Sequence, residues 1–387
     1  MNQRIVIVGG GPVGLAFAWA ASRLKDIDVT VIEKSLRVNG DLLTPFDHRV
    51  YALSPASITF LPSLATFQQR IAPVRAMQIF GDDGASELDF ETGQPLASIV
   101  EHAVVMHALL DALARDGRVE FRRGVVPIVP FELHAGDDHR RTVHLSDGSR
   151  IESDLLIAAD GARSQIRSGA GIANTEKNYE SDGVVANFRC AKPHGDVARQ
   201  WFRNDSVLAF LPLPDNHVSI VWSIAKSHWQ QLQQLPTEDA AFAEAVAEAG
   251  HHTLGAMTLV SPIARFPLAR IAAKLWVQPG LALMGDAAHA VHPLAGQGVN
   301  LGFADARMMC DIVAARSRFS GIGDLALLRK YERARREAAF AVGEVTDRLR
   351  GLYLHDGAAA KWLRNNGLRR LNQMPGAKAM LIDYAAN

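Results

Sequence analysis

Residues 5–33 constrain the backbone more tightly than any other part of the chain. Ile5-Val6-Ile7-Val8 is a β-branched apolar run, as in a parallel strand buried on both faces. Gly9-x-Gly11-x-x-Gly14 follows without a gap, then a predicted helix to about residue 24 and a second strand at 28–32 that ends on Glu33. Each glycine has a mechanical reason: the first for a tight turn, the second for close approach of a pyrophosphate, the third for helix–strand packing. Glu33 falls about 20 residues after the last glycine, where a carboxylate meets ribose hydroxyls. A strand before the glycines, a helix after them and the acid in place specify an adenine dinucleotide site. A carboxylate there repels a ribose 2′-phosphate, which leaves NAD and FAD and disfavours NADP.

The stretch 281–302 separates those two. Leu281-Ala282-Leu283-Met284 reads as a short buried strand, followed by Gly285-Asp286-Ala287-Ala288-His289 and a loop, His292-Pro293-Leu294-Ala295-Gly296-Gln297-Gly298. A helix predicted over 299–314 then begins with its amides free, and such an end attracts polar oxygens and negative charge. An acid beside free amides suits a hydroxylated chain and a polarisable ring, as in the ribityl and isoalloxazine parts of a flavin. FAD is long enough to reach from Glu33 to Asp286, so one elongated cofactor is expected to touch both. The competing readings are a metal centre on Asp286, His289 and His292, or an ordinary strand–loop–helix joint. No further acid or Cys clusters there and the glycines would go unexplained, so no metal is expected.

Between these ends the pattern changes twice. Strands are expected at 74–80 and 87–90 around Gly81-Asp82-Asp83-Gly84, a helix at 102–116 with a core-packed face, and a buried strand at 155–159 ending on Asp160-Gly161. An acid at a strand's carboxyl edge is where open α/β sheets place ligands. From 181 to 269 strands predominate, with one helix at 238–249, which reads as an antiparallel layer inserted into the first unit. A last helix over 324–353 carries Tyr331, Ala338, Val342, Val345, Leu349 and Leu352 as a docked stripe.

The remaining features narrow the class. A length of 387 residues accommodates two domains, and Lys+Arg and Asp+Glu both number 41, so no nucleic-acid partner is expected. The two cysteines, Cys190 and Cys310, are far apart and fit a reducing cytosol. Arg4 with the apolar run to Ala21 imitates a signal peptide, but the glycines interrupt it, so no cleaved signal and no transmembrane helix are expected.

Taken in order and spacing, the glycine motif with Glu33, Asp160-Gly161, and Gly285-Asp286 with 292–302 resemble the FAD-dependent aromatic hydroxylases of the para-hydroxybenzoate hydroxylase fold. Asp47-x-Arg49-x-x-Ala52-Leu53-Ser54, Gly285-Asp286-Ala287-Ala288-His289 and His292-Pro293-Leu294-Ala295-Gly296-Gln297-Gly298 are similar to the ubiquinone-biosynthesis monooxygenases within that class. The resemblance spans essentially the whole chain, including Pro193-His194, 209–214 and Trp222. It implies an α/β fold: a Rossmann-like FAD-binding domain (1–180 with 270–320), an inserted antiparallel-sheet substrate layer (181–269) and C-terminal helices (321–387).

The resemblance also implies roles. Gly9, Gly11, Pro12 and Gly14 would lie at the FAD pyrophosphate, Glu33 and Lys34 at the adenosine ribose, and Arg49, Gly285 and Asp286 along the ribityl-phosphate region. Asp160 and Gly161 would support FAD and NAD(P)H access; Pro293, Gly296, Gln297, Gly298, Val299 and Asn300 would line the ring. His292 and Pro293, in the flavin-ring loop, are the nearest assignments to a catalytic role. His102 departs from the Arg or Asn often found at that helix start, so it is not counted as a flavin contact. NAD(P)H would act as a transient reductant, since no second glycine-motif unit exists to hold it. The implied reaction passes one oxygen atom from O₂ to an electron-rich ring, a small aromatic substrate that is a prenylated quinone precursor in the quinone branch. A reductase or halogenase on the same fold is the alternative, although the halogenases' W-x-W-x-I-P run is absent. A NAD dehydrogenase, the third class, would purify colourless. A prenylated substrate resides in lipid, and the basic, Trp- and Leu-bearing stretch 361–387 is suited to the inner membrane surface or a biosynthetic complex.

Overall fold

A computed structural model of the chain describes residues 2–35, 46–81, 86–133, 139–203, 206–232, 238–291, 298–317, 319–354 and 372. Its first layer is a six-stranded sheet in the order Val277–Gln278, Leu281–Leu283, Leu155–Ala158, Gln3–Val8, Ile27–Glu33, Val119–Arg123. All neighbours are parallel except the first pair. The central strands are apolar because helices cover both faces: Ile5, Ile7, Leu155, Leu156, Ile157 and Leu281 are fully buried.

Register decides what this sheet presents. Val8 lies opposite Ile32 on one side and Ala158 on the other, and Ala158 lies opposite Leu283. Four strands therefore end on one line, and Gly9, Glu33, Asp160 and Gly285 all fall just beyond it. Three strand spacings, about 14 Å, separate the Glu33 strand from the Leu283 strand.

The second layer is a nine-stranded sheet running Gly285-side strand His289–Ala290, then Ala264–Ala273, Asn174–Cys190, His217–Ala225, Ser206–Leu213, Val197–Phe202, Ala76–Phe80 and Ser86–Glu91, with Met257–Leu259 added on Asn174–Cys190. Its strands extend past 181–269 at both ends and take in the 76–91 stretch, because Ala76–Phe80 pairs in parallel with Val197–Phe202. One helix was expected in this layer; two are present, Lys226–Leu232 and Glu238–Ala249. They cover one face, over Phe188, Phe210, Ile220 and Trp222, with Val246 of the second helix in the same cluster.

The helix Leu325–Leu354 ties the layers together. Tyr331 Oη donates to Leu283 O at 2.8 Å, and Arg270 of the second sheet pairs with Glu344 at 3.0 Å and Asp347 at 2.9 Å. The expected stripe is corrected here: Val345 is 52% exposed, while Ala339, Val342 and Gly343 face inward with those two acids. Tyr331 and Val342 are buried as the stripe implies, and Glu344 and Asp347 on the same helix meet Arg270. The side chains of Leu349 and Leu352, and the stretch 361–387 apart from Asn372, lie outside the described residues.

Two glycines of the first motif are demanded by contact. A Cβ on Gly14 would sit 2.0 Å from Gly9 O, and one on Gly9, at φ +112°, 2.2 Å from Ala159 O, whereas nothing lies within 4 Å of a Cβ on Gly11. Gly14→Ala should therefore lower folding stability by about 1–3 kcal/mol, and Gly11→Ala by about 0.5 kcal/mol or less. Urea midpoints measure the contrast, and equal losses would contradict it.

Candidate cofactor-binding site

The expected residues at the sheet's carboxyl edge are brought together, but several are occupied by their own loops. Glu33 accepts from Gly10 N at 2.6 Å and from Ser35 N at 2.8 Å, which holds the glycine turn against the second strand; Lys34 is exposed beside it. Pro12 opens the helix Pro12–Ala21, a position where its missing N–H costs nothing. Next comes Val13, whose methyls would lie 3.3 Å from a Cβ on Gly285 and 2.4 Å from one on Gly302. The front helix therefore lies directly against the Gly285 turn, and the two distant motifs share one wall.

Asp160 accepts from Ser164 Oγ at 2.6 Å and Ile166 N at 3.2 Å, capping its own short helix, and burial raises its pKa against those bonds. Gly161, at φ +82°, leaves its face open. Asn300 donates to Ala52 O at 2.8 Å and accepts from Ser54 N at 3.2 Å, so its amide clamps the strand Val50–Leu53. Gly298 starts the helix Gly298–Ala314 and Val299 packs on the core. His292, Pro293, Gly296 and Gln297 lie outside the described residues.

Arg49, Tyr51, His102 and Asp286 form the electrostatic centre. Asp286 is open at the surface yet walled by protein, and loss of bulk water raises its carboxyl pKa while His289 and Arg49 oppose the rise. The Arg49 guanidinium lies 5.5 Å from the centroid of the Tyr51 ring. Tyr51 Oη and His102 Nδ1 share a hydrogen bond of 2.8 Å. Burial pushes the Tyr51 phenol up to about 12 and, with Arg49 adding to it, pulls His102 down to about 4. His102 thus stays neutral beside a fixed cation.

Three supports were not legible as site residues. Asp305 is fully buried and accepts from Gly285 N at 3.1 Å, His289 Nε2 at 2.6 Å and Arg335 Nε at 2.8 Å. Burial would raise its pKa, but His289 and Arg335 hold it below the usual carboxylate value. His289 is thereby spent on Asp305 and stacked on Trp276 at 4.8 Å; among the described residues no cluster of His, Cys, Asp or Glu could hold a metal. Arg167, buried, donates to Ala287 O at 2.8 Å and Ala162 O at 2.9 Å, bolting the Gly161 loop to the Gly285 turn. Glu101, also fully buried, takes Arg70 through two 2.7 Å bonds and Asp47 N at 2.6 Å. A signal existed for one: Asp305 stands on the helix's apolar stripe with Gly302, Ala306 and Met309, where an uncompensated acid is not tolerated.

Glycines with open faces beside a free helix end, a carboxylate at each end of the edge and a cation near Asp286 fit an elongated flavin dinucleotide. The FAD binding domain family matches residues 2–346. The chain belongs to that family. The 3-demethoxyubiquinol 3-hydroxylase of Escherichia coli (strain K12) is 34% identical over 98% of this chain and 97% of its own length. The mitochondrial ubiquinone biosynthesis monooxygenase COQ6 of Homo sapiens is 32% identical over 99% of this chain and 92% of its own. The crystal structure of p-nitrophenol 4-monooxygenase PnpA from Pseudomonas putida DLL-E4 superposes with a TM-score of 0.77 at 17% identity, covering 100% of this chain and 98% of that one. This last likeness is one of fold, the fold expected from the glycine, Asp160 and Asp286 segments together.

His102 gives the site a pH signature. Above 6.5 neither the folded nor the unfolded chain protonates it; between 6.5 and about 4 only the unfolded chain does. The folded state should lose stability as pH falls through that window, by at most about 1.4 kcal/mol per unit. His102→Gln should remove that share of the slope in urea midpoints taken from pH 7 to 4.5, and an unchanged slope would count against the assignment.

Proposed function

We propose that this chain is an FAD-dependent monooxygenase that hydroxylates an aromatic ring with NAD(P)H and O₂, acting on a polyprenylated phenol or quinol intermediate of ubiquinone biosynthesis. The observation that carries the reading is the single edge on which the Gly9–Gly14 loop, Glu33 and Asp286 converge, with Val13 in contact with the Gly285 turn. Bound there, FAD would supply the redox and oxygen-transfer chemistry, and the protein contributes position, charge and dryness.

In this reading the free amides after Gly9 hold the pyrophosphate, and Glu33 accepts from ribose hydroxyls while keeping Gly10 in place. Arg49 and Asp286 flank the ribityl chain, and Arg49, with His289, opposes the rise that burial imposes on the Asp286 carboxyl. Neutral Tyr51 and His102 add no charge of their own, so Arg49 stays the dominant cation. Gly161 leaves a way in for the reductant. The start of the helix at Gly298 turns its positive end to the ring. We assign 1–180 with 270–320 to the cofactor unit, 181–269 to the substrate layer together with the strands at 76–91, and 321–387 to the C-terminal helices.

Deleting the gene in its host should accumulate a prenylated precursor one oxygen atom short of the next intermediate, detectable by mass spectrometry of the lipid extract. Restoration by the wild-type gene but not by Asp286→Ala would support the site; an unaltered quinone profile would sink the reading.

No helix among the described residues is long and apolar enough to cross a membrane. A lipid-borne substrate then requires peripheral contact, for which the basic stretch 361–387 is suited. Removing 361–387 should reduce co-sedimentation with anionic liposomes, and equal sedimentation would refute that role.

A further inference from the structure

The helix Leu325–Leu354 falls outside the cofactor unit in sequence, yet one turn of it grips the Gly285 turn at its entry, its exit and its centre. Tyr331 Oη donates to Leu283 O at 2.8 Å, on the strand that leads into Gly285. Glu332 accepts from Trp276 N at 2.9 Å, and the Trp276 ring stacks on His289, at the far end of the turn, with centroids 4.8 Å apart. Arg335 Nε donates to Asp305 at 2.8 Å, and Asp305 in turn accepts from Gly285 N and His289 Nε2.

Arg335 has a further hold. Its Nη2 donates to Leu301 O at 3.3 Å, in the first turn of the helix Gly298–Ala314. A single guanidinium therefore joins the Gly285 turn to the helix start beside it, which a planar fork of donors can do and a point-like ammonium does less well.

The atoms show how the hold is passed on. Asp305 Oδ2 takes both Gly285 N and His289, while Oδ1 takes Arg335, so Arg335 sets which way the carboxylate faces. Asp305 is fully buried and the Arg335 side chain is 12% exposed, so losing that partner would leave a charge uncompensated away from water. His289 has no second anchor: its Nδ1 is buried without a hydrogen-bond partner among the described residues. Gly285 sits at φ +58° and is tied through its amide to the same oxygen, so rotation of the carboxylate would move the turn and Asp286 with it.

We infer that Arg335 is a positioning residue of the cofactor site, acting through Asp305 on the Gly285 turn and through Leu301 on the neighbouring helix start. FAD affinity then depends on a side chain of the last helix. This rests on the proposed placement of the flavin at Asp286, and the experiment separates the two.

The full-length protein is stripped of FAD and titrated with it, following flavin fluorescence, while the melting temperature of the FAD-free form reports folding. Arg335→Met should raise the FAD dissociation constant at least about tenfold. Arg335→Lys, which restores the charge and a donor, should recover most of that loss. In Asp305→Asn the amide must turn its oxygen to Arg335 and its nitrogen to Gly285 N, so FAD should bind weakly. Adding Arg335→Met frees the amide to turn back, and the double variant should bind FAD no more weakly than the worse single one. Asp347→Asn instead cuts the same helix from Arg270, Lys177 and Tyr179. It should lower the melting temperature yet change FAD affinity about twofold or less. Should Arg335→Met not fold, Arg335→Gln, which keeps a donor without the charge, is read the same way with a loss of about threefold or more.

FAD affinity within about twofold of wild type in Arg335→Met, or an equal loss in Asp347→Asn, would overturn the inference. If Asp286→Ala binds FAD as the wild type does, the placement of the flavin falls. If Asp286→Ala weakens FAD and Arg335→Met does not, the placement stands and the positioning role alone falls.

Discussion

The parallel hydrogen-bond register of four strands underlies everything the molecule can do at its cofactor edge. Because Val8, Ile32, Ala158 and Leu283 are laterally matched, segments as far apart in the chain as Val8 and Leu283 emerge on one edge, each carrying a glycine or an acid at its exit. A slip of one residue in any strand would move its exit by one position along the edge and exchange the side chains it presents to the two covering layers. The apolar, fully buried strand interiors make such slips costly, so the precision of the edge comes from the core beneath it.

Charge on that edge is arranged by pairing the buried groups and leaving Arg49 exposed. Asp305, Glu101 and Arg167 are each withdrawn from water and each satisfied by several bonds, so they serve as struts: Asp305 for the Gly285 turn, Glu101 for the Asp47 stretch, Arg167 for the Gly161 loop. Removing one partner from such a set leaves an uncompensated buried charge, which is why they act together. Arg49, by contrast, is exposed and has neutral Tyr51 and His102 behind it, so its field acts outward and toward Asp286. Position and potential are thus supplied by different residues.

The second sheet meets the first unit through the apolar cluster of Ala198 and Leu213 with Val74 and Ile99, and is held beside this edge by hydrogen bonds and an ion pair. Asn187 holds 46–47, His289 pairs with Ala272, and Arg270 holds the last helix.

Sequence alone determined the first unit, because its signals are local. A β-branched run, glycines where a Cβ would strike backbone, and an acid at the next strand's end admit one backbone path, and the GDAAH turn repeats the device at the far end of the chain. The antiparallel layer was legible from its strand-rich stretch, and the helices at 102–116 and 238–249 from their periodicity. Other features depended on neighbours remote in sequence. Asp160 and Asn300 have the types expected of cofactor ligands, yet their side chains are taken by Ser164 and Ala52, and Val345 faces water while Glu344 and Asp347 meet Arg270. Only the tertiary structure could decide these, since a polar side chain's role follows from which partner reaches it first, and that is set by packing across the layers.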